Sequence, residues 1–475
     1  MSRASTRDAR PFSLAAEPRR FLSRDDCEAL AQRVIGFARG GGETLLSITS
    51  EWTGELRWAR NRATVAGDRR GNVIRITRAI DGARAQVSTN QTDDETLAAA
   101  VRAAERLLRL GRTVPTDFPD PPVPHEYPAT HIWSEPTYAQ GADIRAAAAR
   151  ALVEPAERAG MLSAGYLGVM ARGSALVGTN SGPAMYTPQT FAECSMTVRD
   201  PKGTGSGWAG LSSYDWGRID APALAARALE KCLASRNPVA IEPGRYTLIM
   251  EPQATFALAR LVVGSLDRIT EEEKQLGPFA AGIDPFTGLR TTKLGRKVLD
   301  ARITIEHDPM DPDLGVVPFT LENGGIQPYR RATWVDHGVL TKLAYDRGYA
   351  LHQRMENEGF PNSGSFRMSG GDSSMEEMIR TTRRGLLVTR FSNVVVLDWN
   401  SVLATGVTRD GLWLIENGKI SRPVKNLRFT ESPMFAFNAI EQLGPPERVY
   451  SPEAPAIVPA VKVRDFSFTS TVDAI

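Results

Sequence analysis

Histidine and cysteine are scarce in this chain: of 475 residues, five are histidine and three are cysteine. Cys27, Cys194 and Cys232 lie far apart with no Cys-x-x-Cys spacing. That excludes a readable disulfide framework or zinc knuckle and makes a reducing cytoplasm the simplest location. No apolar run approaches the roughly 20 residues that span a bilayer, so no membrane insertion is expected. A charge excess is missing too. The chain has 57 lysines and arginines against 55 acidic residues, a net charge of +2 that supplies no field for nucleic acid or an anionic membrane. Pro18-Arg19-Arg20-Phe21-Leu22 superficially suggests a twin-arginine export signal. Ser23-Arg24-Asp25-Asp26 follows where an apolar core is required, so export is rejected.

What is present fits a globular protein: 42% hydrophobic and 24% charged residues, over a length that implies two or three domains. Residues 1–24 read as a loose arm. Residues 25–39 read as a helix closed by Gly40-Gly41-Gly42. Alternation over 44–50, 54–65, 73–79 and 83–89, separated by Gly-Asp and Asp-Gly turns, predicts an antiparallel meander. Thr92-Asp93-Asp94-Glu95 resembles a capping box opening a helix over 96–110, with Leu97, Val101, Leu107 and Leu108 on one face. Residues 111–140 are a proline-rich connector. A second cycle follows, with helices over 143–159 and 221–235, strands over 163–177 and 191–198, and a glycine-rich loop at 203–210. Its helix and hairpin content matches the first cycle, without residue-level repetition. Beyond 240 strands dominate, at 382–388, 394–398, 412–416, 420–425 and 461–469. The expected fold class is α+β, with an amino-terminal helix and β-hairpin domain (25–240) and a sheet-rich carboxyl-terminal domain (241–475).

Candidate chemistry is thin. The one His-Glu pair, His125-Glu126, sits among Pro121, Pro122, Pro124 and Pro128, which forbid the helix that would bring His125 and His131 to one side. His307, His337 and His352 remain, with Asp308, Asp311 and Asp313 beside the first. The run His307-Asp308-Pro309-Met310-Asp311-Pro312-Asp313 favours a turn-rich loop over a cation site. No Gly-x-Ser-x-Gly elbow occurs, and Ser365 reads as loop. Gly203-x-Gly205-x-Gly207 lacks the spacing of a dinucleotide or phosphate loop and reads as a hairpin. Cys194 falls in a strand pattern, where buried structural thiols are common.

Several segments of the carboxyl-terminal half occur together and in order. They are Val317-Pro318-Phe319-Thr320-Leu321-Glu322-Asn323-Gly324-Gly325, Asp336-His337-Gly338-Val339-Leu340, Asp346-Arg347-Gly348-Tyr349-Ala350, Met375-Glu376-Glu377-Met378-Ile379 and Arg384-Gly385-Leu386-Leu387-Val388-Thr389. Gly411-Leu412-Trp413-Leu414-Ile415-Glu416-Asn417-Gly418-Lys419-Ile420 and Pro423-Val424-Lys425 complete the set. Arg60-Asn61-Arg62, Thr89-Asn90 and Gly178-Thr179-Asn180-Ser181-Gly182 echo it more weakly in the amino half. In these blocks the chain resembles the TldD/PmbA (TldD/TldE) metallopeptidase family. It departs at Asp398-Trp399-Asn400-Ser401-Val402-Leu403-Ala404-Thr405-Gly406 and at Glu271-Glu272-Glu273-Lys274.

That family includes a subunit with His-Glu-x-x-x-His on the helix after a strand and a later cysteine, and a subunit lacking this set. Registered on Pro252, the three motif positions here are Ala257, Leu258 and Val262, and no cysteine follows Cys232. No histidine lies between His131 and His307, so no shift of register restores the motif. The resemblance implies a member of the PmbA or TldE kind with no metal or cofactor of its own, and zinc in a partner subunit. The implied partners are a histidine-bearing TldD-like paralogue and a peptide or unfolded polypeptide bound as an added strand. The alternatives are a self-sufficient hydrolase using His307, Asp308 and His337, or a homodimeric binding protein.

Overall fold

The computed structural model describes residues 20–80, 83–111, 129–179, 185–320, 327–328, 330–355 and 364–472. The connector's centre, His125 and the Asp81-Gly82 turn lie outside the described residues.

The amino-terminal half is built from helix α1 (Arg24–Phe37), strands β1 (Glu43–Ala59), β2 (Arg62–Ile80) and β3 (Ala83–Thr89), and helix α2 (Asp94–Gly111). After the short helix α3 (Glu135–Tyr138) the same order returns: α4 (Ala142–Arg158), β4 (Leu162–Gly178), β5 (Met185–Arg199), β6 (Ser206–Ser213) and α5 (Ala221–Ala234). The six strands form one antiparallel sheet in the order β3-β2-β1-β4-β5-β6. The two predicted cycles are thus two copies of one α-β-β-β-α unit, joined through the β1–β4 pair.

Several local expectations change. Residues 44–50 and 54–65 are not separate strands: β1 runs unbroken to Ala59. The reversal falls at Arg60-Asn61, both at positive φ (51° and 63°), the two-residue turn that matches strand twist. Gly67-Asp68 lies inside β2, opposite Glu55 and Gly54. The arm is not loose at its end. Ser23 caps α1 with a capping box to Asp26, the Arg20 guanidinium lies 3.9 Å over the Trp52 ring, and Phe21 packs on Trp133. Asp93 caps α2 by accepting the Thr96 amide at 2.8 Å. Leu97, Val101 and Leu108 are buried, but Leu107 is 46% exposed, because it lies off the stripe the other three share.

All four long helices cover one face of the sheet. Alternate residues of β1 (Leu46, Ile48, Trp52, Leu56) enter cores shared with α1 and α2 at one end and with α4 and α5 at the other. The glycine-rich stretch at 203–210 is mostly strand rather than loop, and β5 and β6 form the expected hairpin around it. A Cβ at Gly207 would collide with the Ala228 carbonyl and the Cys232 amide, so the glycine lets α5 lie close against β6.

The carboxyl-terminal half opens with β7 (Gly244–Met250), α6 (Pro252–Gly264), a π-helical turn at Ile269–Lys274, β8 (Ala280–Ile283), β9 (Arg290–Thr292) and β10 (Ile305–His307). It continues with β11 (Phe319–Thr320), β12 (Gln327–Pro328), β13 (Ala332–Asp336), β14 (Val339–Leu340), α7 (Arg347–His352), β15 (Phe366–Met368) and α8 (Met375–Arg380). It ends with β16 (Arg384–Asp398), β17 (Leu403–Glu416), β18 (Lys419–Pro423), β19 (Leu427–Glu431), α9 (Pro433–Ala436), β20 (Ile440–Arg448) and β21 (Ala456–Thr471). The expected strands at 382–388 and 394–398 are one strand, β16, bent by irregular pairing with β17.

The main sheet is mixed, in the order β14-β13-β10-β15-β21-β19-β17-β16-β7, with β18 on β17 and β20 on β21. Because β7 also pairs with β21, the strands β7, β16, β17, β19 and β21 close into a ring that leaves none of them as an edge over its paired length. The α+β class holds, with helices segregated to one face of the first sheet and a larger mixed sheet in the second half.

Candidate functional site

Among the described residues no helix covers the other face of the first sheet, and polar side chains predominate on it. Residues facing away from the helices include Ser47 and Thr49 of β1, Thr77 of β2, Gln86 of β3, Ser174 of β4, and Thr187 and Gln189 of β5. Strand period explains the split, since residues at i and i+2 share a face. These side chains floor a cleft of about 810 Å³. The carboxyl-terminal half roofs it with residues 314–317, Ser365, Arg448 at the end of β20, and residues 452–455. Phe319 reaches across to Leu45, Leu176 and Met185, an apolar contact that closes one end.

Named contacts hold the two halves around this space. Lys231 on α5 donates to Glu251, the residue before α6, at 2.6 Å, with Arg227 beside it at 3.3 Å. Tyr450 donates its hydroxyl to Glu193 of β5 at 2.7 Å, and the Ser451 amide donates to the Ser212 hydroxyl at 2.9 Å. Burial pushes the Glu193 carboxyl up, and the Tyr450 hydroxyl opposes it. Ser206 and Arg390 both bond to Asp410, which is 1% exposed.

Arginine sets the charge of the cleft. Arg75, Arg84, Arg172 and Arg448 line it against a single carboxylate, Glu453. The Arg448 Nη2 is buried and meets no hydrogen-bond partner among the described residues. Burial pushes this guanidinium down to about 10, and the Arg218 charge adds to the effect.

The described histidines do not form a cluster. His307 is 3% exposed, and its Nδ1 lies 3.1 Å from the Ser365 carbonyl and 3.0 Å from the Ser365 hydroxyl. Burial lowers its pKa. The Ser365 carbonyl can only accept, so it favours the tautomer with the proton on Nδ1, in which Nδ1 does not take the hydroxyl proton. Asp308 turns away, accepting the Met310 amide at 2.9 Å and lying 3.5 Å from Arg331. His337 is exposed in the β13–β14 turn, bonded to Asp336 at 2.8 Å, and its amide meets Thr304 at the far end of β10 from His307. His131 and His352 are exposed, and neither lines the cleft. Asp311 and Asp313 are held by Arg367 and Arg218 at 2.6 and 3.0 Å.

Helix α6 follows β7 through Glu251-Pro252, with the proline in the helix's first turn, where its missing amide costs nothing. Leu258 and Val262 are fully buried in the main core of this half, and Ala257 packs half-buried against it. These side chains end in methyl groups and offer no nitrogen, sulfur or oxygen donor, so the three positions do not fit zinc. Among the described residues no three His, Cys, Asp or Glu side chains form a metal-holding group. Cys27, Cys194 and Cys232 are all buried. Burial raises all three thiols, Cys194 to about 12, which leaves them protonated and inert at neutral pH.

Residues 243–470 match the PmbA/TldA metallopeptidase C-terminal domain. The chain belongs to the TldD/PmbA family. Its fold is that of TldE from Thermococcus kodakarensis, with a TM-score of 0.76 at 17% identity over 94% of this chain and 100% of that one. A proposed modulator of DNA gyrase from Bacteroides thetaiotaomicron superposes with a TM-score of 0.76 at 19% identity, over 94% of this chain and 99% of its own. A similar protein from Thermotoga maritima gives 0.76 at 18%, over 93% and 100%. Comparison with curated proteins finds no match. In this TldD/PmbA member the family block at 411–420 forms the end of β17 and the start of β18, around a turn with Asn417 and Gly418 at positive φ.

The cleft itself escaped the sequence reading. Its signal was present as a predominantly polar set of alternate residues in β1, but the face left uncovered by helices is decided only when the strands pair.

Proposed function

We propose that this chain is a noncatalytic, metal-free subunit of a TldD/TldE-like zinc peptidase. It pairs in the cytoplasm with a histidine-bearing TldD-like paralogue and guides peptide or unfolded polypeptide through its cleft. The observation that carries this reading is α6. At the positions where the family's other subunit holds zinc, this chain places Ala257, Leu258 and Val262 in or against an apolar core. The cleft floor supports the second part, because rows of serine, threonine and glutamine offer hydrogen bonds without demanding a particular side chain.

Co-purification from the native source, with metal analysis and peptide cleavage measured on each species, tests the proposal. The expected result is zinc and cleavage only in the hetero-complex. Stoichiometric zinc and hydrolysis by this chain alone, abolished by His307→Ala or His337→Ala, would establish the self-sufficient hydrolase instead. A stable self-dimer with no cleavage when mixed with histidine-bearing relatives would establish the homodimeric binding protein.

A further inference from the structure

The cleft's arginines follow a geometric pattern. In the ladder, Arg84 on β3 lies opposite Ala79 of β2, which faces Glu43; Arg75 on β2 faces Ser47; and Arg172 on β4 faces Glu51. Along β1 these levels are four residues apart, so at about 3.4 Å per residue the three guanidiniums step diagonally over roughly 27 Å of floor. Arg448 looks down from the roof. Roughly 27 Å is the length of about eight residues of extended chain.

These groups are not equally committed. Arg172 is paired with Glu51. Arg75 makes no side-chain hydrogen bond or ion pair with the described residues. Around Arg448 the nearby aspartates are taken: Asp313 by Arg218 and Asp311 by Arg367. A buried guanidinium nitrogen without an acceptor is unfavourable, and a carboxylate is the acceptor whose geometry suits it, two oxygens against two parallel N–H groups. Bound nucleic acid would need a run of stacking surfaces, whereas Phe191 and Tyr214 are the aromatic side chains the amino-terminal half adds to the lining, among Ser, Thr, Gln, Arg and a few aliphatic residues, in a chain of net charge +2.

We infer that the cleft selects polypeptide segments that carry carboxylates, gripped by Arg448 from the roof and by Arg75 and Arg84 from the floor. This rests on the cleft taking polypeptide, as proposed above. Its selectivity is electrostatic and geometric rather than sequence-reading, and it weakens as salt screens the row.

Titration of the full chain with labelled nine-residue peptides provides the test. One peptide is rich in Asp and Glu, one has Asn and Gln in their place, and one is the acidic peptide with an amidated carboxyl terminus. The acidic peptide is expected to bind at least tenfold more tightly than the neutral one at low salt, with the gap shrinking in 0.5 M NaCl. Unchanged binding after amidation assigns the grip to side-chain carboxylates; loss of binding assigns it to the chain terminus. Arg448→Gln is expected to weaken the acidic peptide about tenfold and leave the neutral one unchanged. Arg75→Gln, on the half-buried floor, should do the same if Arg448→Gln does not fold. Equal affinity for acidic and neutral peptides, unaltered in both variants, overturns the inference while leaving a peptide cleft standing. Absence of binding by any peptide overturns both. Tighter binding of a single-stranded oligonucleotide than of the acidic peptide overturns the choice of polypeptide.

Discussion

Glu271 shows how one buried carboxyl ties a residue to the stability of its half. It is 0% exposed in the π-helical turn after α6, and its Oε2 accepts the Phe279 amide at 2.8 Å. Burial pushes it up to about 7, against the opposing pull of the Phe279 and Ala280 amides. The fold therefore favours the protonated form. The unfolded chain releases this proton near the ordinary glutamate value of about 4.3, so stability falls as pH rises from there to about 7 and is level above. Glu271→Gln keeps an acceptor for the Phe279 amide and removes the titration. Urea midpoints measured at pH 5 and pH 8 should then differ less in the variant than in the parent; identical slopes would assign the pH dependence elsewhere.

At the scale of the element, two helices are placed by what they lack. Helix α5 approaches β6 closely because position 207 has no side chain. Gly207→Ala forces backbone apart and is expected to destabilise by about 1–3 kcal/mol in chemical denaturation. Helix α6 is held by its apolar residues. Leu258→Ala opens a cavity in the main core and should cost about 2–5 kcal/mol, read in the same way. A cost near zero would mean that α6 is free of the core and that its apolar residues need another explanation.

For the whole molecule, the question is which contacts hold the two halves around the cleft. The Lys231 and Glu251 side chains are 13% and 10% exposed, whereas Arg218 and Asp313, at 33% and 60%, form a solvated pair. Glu251→Gln strands a buried ammonium, whose pKa burial already lowers, and is expected to destabilise by roughly 3 kcal/mol. Arg218→Ala should cost less than about 1 kcal/mol. Denaturation curves with limited proteolysis at the junction near residue 240 separate the two cases. Equal losses would mean that exposure does not rank these contacts.

The sequence by itself determined the α+β class, the two α-and-β cycles of the first half, the family blocks beyond 240 and the absence of zinc donors at 257, 258 and 262. These are local quantities: periodicity, turn chemistry and residue identity at fixed spacing. It misread 203–210, because a glycine that admits a helix and a glycine that makes a turn look alike until the helix is in place. It offered His307 and His337 as members of one alternative site; β-pairing sets His307 opposite Ala332 and puts His337 in the β13–β14 turn, beside Thr304 beyond the other end of β10. Only the tertiary structure decided the ring closed by β7 and β21, the bare polar face of the first sheet and the arginine row across it. Each depends on which strands become neighbours, and strand pairing is set by packing between segments far apart in sequence.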